Sequence, residues 1–585
     1  MKLLMAHDFR SAAKCASAVL LSLAIGGPAL AQNPVTPAPK VSVAFNRFYD
    51  YAETVAVMQQ LAAANPEVLR LRSIGKSFEG REMWLAVLAD QNGTPLDRRP
   101  AMWIDANVHG NEIQGTEVCL YTLWFMTENR AKNPRIAKLL AENVFYILPS
   151  VNPDGRDWWF HGPNTTNSSR SGRKPIDDDR DGQADEDGPN DLDGDGSICQ
   201  MRKFVGKGGT HVPDPDEPRI LRDARRDQEG TYVLLGMEGL DDDGDGAINE
   251  DGPGGYDLNR NWPTDWRPNH IQFGAGDYPL SHPEARNVAD FILAHPNIAA
   301  AQSYHNTGGM ILRGPGAKEY GEYPSQDVAV YDELGTAGEE MLPFYKYMVI
   351  WRDLYTVYGG FVNWCYEGLG IFALTNELWN TPQYYGSATA DAADQRGERR
   401  LKWDERVELG DKFVPWRPFK HPFYGDIEIG GWKKDTDRIP PTFMLEELCH
   451  RNFAFTLFHA ERMPRLEWDA PVVTEKAPGL WSVALEVRNR GVIPTRAAVA
   501  RQKGIGVPDR LTIEVDAGRV VAGGAVVGPY GRERIDLVEH RPERLLFDGG
   551  IPGRGKIRVE WLVASATAPA PRLRFEAEKG GLLTR

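Results

Sequence analysis

Two residues of metal-binding type stand three apart in His109-Gly110-Asn111-Glu112. The segment leading to them, from Met102-Trp103-Ile104 to Val108, reads as a buried strand. An imidazole and a carboxylate at such a strand-to-helix turn can converge on one metal ion. His305 closes a second strand, Ile298 to Tyr304, and offers a third ligand. Glu377, in Leu374-Thr375-Asn376-Glu377-Leu378, puts another carboxylate at the end of a strand that begins at Ile371. Two further polar segments are Asn152-Pro153-Asp154-Gly155, after the strand Val144 to Leu148, and Tyr256-Asp257-Leu258-Asn259-Arg260-Asn261-Trp262-Pro263. Polar residues at the C-terminal ends of several strands are where open α/β sheets build their sites.

The elements that position these groups follow from hydrophobic period. A helix from Ala52 carries Val55, Met58 and Leu61 inward, and the helix after Val108 carries Leu120, Leu123 and Trp124. Strands alternating with helices predict an α/β domain with a mixed sheet, closed by a helix from about Thr442 to Arg462 behind Pro440-Pro441. After Pro464 the period changes to two: Trp481, Val483, Leu485 and Val487, then Leu511, Ile513 and Val515, then Ile557, Val559, Trp561 and Val563. That predicts an all-β sandwich over 465–585, with no catalytic composition.

In order along the chain, H-x-x-E, N-P-D-G, D-x-N-R-N, S-Y-H and T-x-E-L resemble the motifs of the M14 zinc carboxypeptidases, over about residues 45–464. The resemblance implies that His109, Glu112 and His305 hold a zinc ion and leave one position open for water. It implies that Glu377 is the general base, that Asn259 and Arg260 grip a substrate's C-terminal carboxylate, and that Asp257 orients His109. Arg170-Ser171-Gly172-Arg173-Lys174 is similar to the family's R-x-x-R-K, which makes Arg173 the oxyanion-stabilising cation, with Arg170 as the alternative. Tyr355, four residues before Gly359-Gly360, stands where the family has its mobile tyrosine. Val362 falls near the position that helps set side-chain preference, and an apolar residue there favours an apolar or aromatic C-terminal residue. Asn111 departs from the arginine of pancreatic-type enzymes and is closer to the regulatory or bacterial branches.

Charge adds a second feature. The chain of 585 residues has a formal net charge of −15. Lys2, Arg10 and Lys14 precede the apolar run Ala18 to Ile25, and Ala29-Leu30-Ala31 ends in a cleavage pattern; residues 1–31 read as a secretory signal peptide and 32–44 as a Pro-rich linker. Removing the signal, which carries +3 and −1, gives −17. Ten acids and one Arg in residues 177–196 give −9, and six acids in 241–251 give −6, so these two stretches hold −15 of the −17. They are repeats: Asp177 opens D-D-D-R-D-G-Q-A-D-E-D-G-P and Asp241 opens D-D-D-G-D-G-A-I-N-E-D-G-P, with a partial copy at Asp191, Asp193 and Asp195. Alternate aspartates with glycines gather hard oxygens around a point. The loops resemble those of thrombospondin type 3 repeats. Asp177, Asp179, Asp181, Asp185, Asp191, Asp193, Asp195, Asp241, Asp243 and Asp245 are candidate calcium ligands within an insertion, 176–255, that enters the domain between Arg173 and Asn259.

Localised acidity says little about partners in general, but a nucleic-acid partner is excluded for want of a basic footprint. The signal peptide predicts an exported, periplasmic or extracellular protein, and beyond it no segment is apolar enough to span a bilayer. The four remaining cysteines, Cys119, Cys199, Cys365 and Cys449, have no His partner motif for thiol catalysis, and their pairing stays open. The expected function is zinc-dependent removal of C-terminal residues from peptides with a free carboxylate. Two alternatives remain: a cell-wall peptide amidase or peptidase of the same fold, and a calcium-dependent binding protein with an idle peptidase fold.

Overall fold

In a computed structural model of the chain, residues 38–165, 167–380, 384, 396–529 and 531–585 are described. Residues 1–31, read as the signal peptide, and 32–37 of the linker lie outside them. The chain divides at residue 40, and every element below belongs to the unit 41–585.

Helix α1 (Tyr51–Ala64) starts at a capping box in which Asp50 and Glu53 accept each other's backbone N–H. It buries Thr54, Val57, Met58 and Leu61; Val57, rather than the expected Val55, faces inward. The central sheet has eight strands: β1 (Leu69–Lys76), β2 (Glu82–Leu88), β3 (Ala101–Ala106), β4 (Val144–Leu148), β5 (Ile298–Asn306), β6 (Met310–Arg313), β7 (Lys346–Val349) and β8 (Phe372–Leu378). Their order is β1-β2-β4-β3-β5-β8-β6-β7. β4, β3, β5 and β8 run parallel, whereas β1, β2 and β6 bring antiparallel pairings, so the sheet is mixed as expected.

Both faces of the sheet are covered, which is why β3 is apolar almost throughout. Met102, Ile104 and Ala106 face one core with α2 (Gln114–Asn129), α4 (Ser325–Met341) and α5 (Leu445–Glu461). Ala101 and Trp103 face the other, against Val288, Phe291 and Ile292 of α3 (Pro283–Leu293). Helix α5 is the expected closing helix, preceded by one 3-10 turn, Thr442–Met444, after the two prolines.

The insertion is more than an acidic loop. Between its aspartate repeats lie strands Gln200–Gly209, His211–Pro213, Leu221–Asp223 and Gly230–Met237. With Phe413–His421 and Gly425–Trp432 they make a six-stranded antiparallel sheet over a small core of Cys199, Met201, Val414, Ile427 and Ile429. Its strands are mostly half-buried, and no clean alternation marks them.

The C-terminal region is two antiparallel sheets sharing one core. Val483, Leu485, Val487, Val559, Trp561 and Val563 come from one sheet, and Leu511, Ile513, Leu573 and Phe575 from the other. It is docked on the α/β region: Asp327 of α4 accepts from Ala498 and Val499 N–H at 3.0 and 3.1 Å, and the buried Lys579 ammonium donates to the Ile298 carbonyl at 2.8 Å. The four cysteines are buried and unbridged. Among the described residues no helix is long and apolar enough to cross a membrane.

Candidate active site

The site forms where β3, β4, β5 and β8 end. Beyond β3 the chain reverses at Asn107, whose φ is +57°; Asn accepts this left-handed conformation more readily than most residues. Its amide donates to the carbonyls of His109 and Gly110 at 2.8 and 3.0 Å, and its carbonyl oxygen accepts from Ser150 at 3.0 Å. Gly110 is required by contact: a Cβ there would sit 2.2 Å from the Ser169 carbonyl oxygen and 2.5 Å from the Gly155 carbonyl carbon. The N-P-D-G turn is the neighbouring support. Asn152 accepts from Gly155 N–H at 2.8 Å and donates to the Ser171 carbonyl at 2.9 Å, while Gly110 N–H donates to the Arg170 carbonyl at 3.0 Å. Three segments remote in sequence are thereby stitched around the first ligand pair.

His109, Glu112 and His305 are all buried and converge. His109 Nδ1 lies 3.0 Å from Glu112 Oε1, His305 Nδ1 lies 3.0 Å from Glu112 Oε2, and the two Nδ1 atoms are 3.2 Å apart. His109 Nε2 faces Asp257 Oδ1 at 2.9 Å. With a metal ion on Nδ1 the His109 proton would sit on Nε2, where the Asp257 carboxylate accepts it and orients the ring. Zinc held by bonds of about 2.0–2.1 Å would space tetrahedral ligands about 3.3 Å apart, close to what these atoms show. The donor set fits the ion.

Glu112 is heavily supported. Oε1 accepts from Arg170 at 3.0 Å and Arg438 at 3.2 Å, and Oε2 from Asn306 N–H at 3.1 Å. Burial opposes its charge, but His109 and His305 reverse that and hold its carboxyl well below the usual range. Asp257 behaves alike: burial acts against ionisation, and Arg260, His109 and Arg170 overrule it. Glu377 pairs with His305 in the register of β8 and β5. Burial, then the charge of Glu112, push its carboxyl up to about 7.

One pocket is lined by His109, His305, Glu377, Arg170, Asn259, Arg260 and Tyr355. Its apolar wall is Leu312, Ile350, Val357, Phe361 and Val362. Asn259 is fixed by accepting from Phe361 N–H at 2.9 Å, and buried Arg260 donates to the Asn259 carbonyl at 2.9 Å. Tyr355 is 52% exposed at the rim.

Arg173 does not join this group. Its guanidinium lies 4.4 Å over the Trp158 ring and 3.4 Å from Glu79, whereas Arg170 contacts Glu112 and, at 3.4 Å, Asp257. Of the two arginines only Arg170 lines the pocket, because its backbone, held by Gly110 N–H, is the part registered to the site. Arg438, just before Pro440-Pro441, was not anticipated either; it also donates to the Asn306 carbonyl at 2.8 Å, and no local motif announces it. The aspartate candidates gather in groups: Asp191, Asp193 and Asp195; Asp177 and Asp179 with Asp251; Asp179, Asp181 and Glu186 with Asp243; and Asp241 and Asp243 with Asp187. Asp185 accepts from Ile176 N–H and Asp245 from Ala247 N–H.

Comparison with known proteins decides the family. A sequence profile described as zinc carboxypeptidase matches residues 54–392, more than half of the chain. The chain belongs to the M14 zinc carboxypeptidase family. A second profile, a domain of unknown function, matches residues 465–585. Among curated zinc carboxypeptidase relatives, one from Saccharothrix mutabilis subsp. capreolus is 33% identical over 130 residues, 22% of this chain and 29% of the relative. Mouse carboxypeptidase Z is 37% identical over 114 residues, 19% of this chain and 17% of the relative. The matches therefore span less than a third of either relative. Carboxypeptidase A from Helicoverpa armigera is a similar solved structure, 20% identical, covering 59% of this chain and 68% of that one with a TM-score of 0.40.

Orientation of a zinc-binding imidazole by a carboxylate commonly contributes 10–100-fold to affinity. Asp257→Asn is therefore expected to weaken zinc binding by roughly that factor, measured by competition with a chromophoric chelator. Unchanged affinity would separate Asp257 from the ligand set.

Proposed function

We propose that this protein is an exported zinc metallocarboxypeptidase that removes single residues from peptide C-termini. The observation that carries the reading is one pocket that gathers His109, His305, the carboxylate of Glu377 and the cations Arg170 and Arg260, with Glu112 buried against both imidazoles. His109, Glu112 and His305 would hold the zinc. Bound there, zinc supplies Lewis-acid chemistry that polarises a peptide carbonyl and acidifies water.

The chain's own groups do the rest. Arg260, beside Asn259, receives the terminal carboxylate through its planar fork and so places the last peptide bond. The terminal side chain enters the wall formed by Leu312, Ile350, Val357, Phe361 and Val362. Among the described lining residues Glu377 is the sole acid, which favours apolar or aromatic side chains over basic ones. Glu377 takes a proton from the attacking water on a carboxylate oxygen and returns it to the departing amine nitrogen. Arg170 faces the negative charge that develops on the carbonyl oxygen. Tyr355 covers the occupied pocket from the rim and excludes water. The signal-peptide pattern of residues 1–31 supports export.

Two variants test the assignment of arginines. Arg170→Ala is expected to lower kcat by about 10^2-fold or more, as loss of an oxyanion donor does. Arg173→Ala is expected to keep kcat within about twofold of wild type, since its guanidinium is engaged with Trp158 and Glu79 outside the pocket. Steady-state kinetics on a blocked dipeptide with an aromatic C-terminal residue reads both. The reverse order of severity would return the role to Arg173.

A further inference from the structure

The two aspartate repeats, Asp177–Pro189 and Asp241–Pro253, align residue for residue, and the fold sets them face to face. Asp187 and Asp251, equivalent in the repeats, pair as an antiparallel bridge, with N–H to carbonyl distances of 3.1 and 3.2 Å. The pairing exchanges side chains. Asp251 crosses into the first loop, where its carboxylate accepts from Asp178 and Asp185 N–H at 3.1 and 3.2 Å. Asp187 crosses into the second, where Oδ1 accepts from Asn249 N–H at 3.3 Å and a carboxylate oxygen stands with those of Asp241 and Asp243, all within 4.8 Å of one another.

Asp187 is fully buried, and its Oδ2 has no hydrogen-bond partner. Both carboxylate oxygens of Glu250 are likewise shut from solvent without a partner. Among the described residues no Lys, Arg or His forms an ion pair with Asp187, Asp241, Asp243 or Glu250. The partial copy differs, because Arg417 stands 3.1 and 3.2 Å from Asp193 and Asp195. Buried ionised oxygens without a counter-charge are costly. Burial pushes Glu250 up to about 7, and Asp187 beside it adds to the rise. The cluster must therefore either share a proton or hold a cation. Hard carboxylate oxygens in a glycine-punctuated loop suit calcium, which accepts six to eight such ligands in irregular geometry.

We propose that Asp187, Asp241, Asp243 and Glu250 form a calcium site completed across the two repeats. Its position gives it a mechanical role. The stems of the insertion leave the catalytic region at Arg170 and re-enter it at Asp257, where Gly172 N–H donates to the Tyr256 carbonyl at 3.3 Å and Arg170 lies 3.4 Å from Asp257. A cation bound by Asp187 from one stem and by Asp241 and Asp243 from the other fastens both ends of the insertion together. The site is independent of the peptidase reading, since none of its ligands lines the pocket.

The test is calcium binding by the full-length, zinc-loaded chain, followed by titration calorimetry and by thermal unfolding with and without calcium chloride. Neither readout depends on turnover, so a failed peptidase assay leaves this result intact. Wild type is expected to bind calcium saturably with Kd of about 10^-3 M or tighter and to unfold at higher temperature when loaded. Asp187→Asn keeps the acceptor for Asn249 N–H, and Glu250→Gln removes only charge. Each is expected to weaken calcium binding at least tenfold. Should Asp187→Asn fail to fold, Glu250→Gln carries the comparison alone. No saturable binding to wild type up to about 10 mM calcium, ten times that Kd, overturns the site and leaves a shared proton in its place. Wild-type affinity retained in the folded variants overturns it equally.

Discussion

Glu377→Gln is expected to keep its zinc and lose its turnover. The substitution preserves size and strand pairing beside His305 but replaces the basic carboxylate oxygen that takes the water proton with a non-basic amide. General-base removal typically costs 10^2–10^4-fold, so kcat should fall by roughly 10^3-fold with KM changed little. Burial of Glu377 and its closeness to Glu112 sharpen the contrast, because the neutral amide also relieves a like-charge contact. The variant should therefore be at least as stable as wild type. Zinc content by elemental analysis, a melting curve and kinetics on one blocked dipeptide settle the matter together. Full activity in the variant would remove Glu377 from the chemistry, and zinc loss would reassign it to metal binding.

Arg260→Ala is expected to abolish the preference for a free C-terminal carboxylate. Arg260 is buried, and its ion-pair partner among the described residues, Asp257, stands 3.9 Å away, engaged with His109 and Asn259 N–H. A substrate carboxylate paired with such a cation is worth about 3 kcal/mol, or roughly 150-fold in kcat/KM. The loss should be confined to substrates with a free terminus. On the matching C-terminal amide, wild type and variant should be equally poor. An equal loss on both substrates would mean that the substitution damages the site in general. It would then say nothing of carboxylate recognition.

How much of this could be read from the chain depends on where each residue sits. His305 and Glu377 were legible because they close buried strands, and His109 and Glu112 because they follow one in the turn beyond it; apolar runs mark such strands plainly. The mixed sheet and the C-terminal two-sheet region were legible for the same reason, since period two and full burial both leave a trace in sequence. Arg170 was harder. A loop of uncertain length separates it from the N-P-D-G turn, and only the Gly110 contact registers it to the site. Arg438 was not legible, because a side chain that reaches Glu112 from a distant loop carries no periodic signature. The sheet within the insertion escaped notice as well. Its strands are mostly half-buried without a clean alternation and gain partners from residues 413–432, so neither hydrophobic period nor local turn chemistry identifies it. Asn107 had a signal that could have been used, an Asn directly after a buried strand and just before the first ligand pair.

The most direct test of the central claim is mass spectrometry of products from two peptides of one sequence, ending in an aromatic residue, one with a free C-terminus and one amidated, each incubated with zinc-loaded wild type. The expected result is stepwise loss of single C-terminal residues from the free peptide, with the amidated peptide left intact. Cleavage of both at the same rate, cleavage at internal bonds, or no cleavage of either by protein carrying one zinc per chain would contradict it.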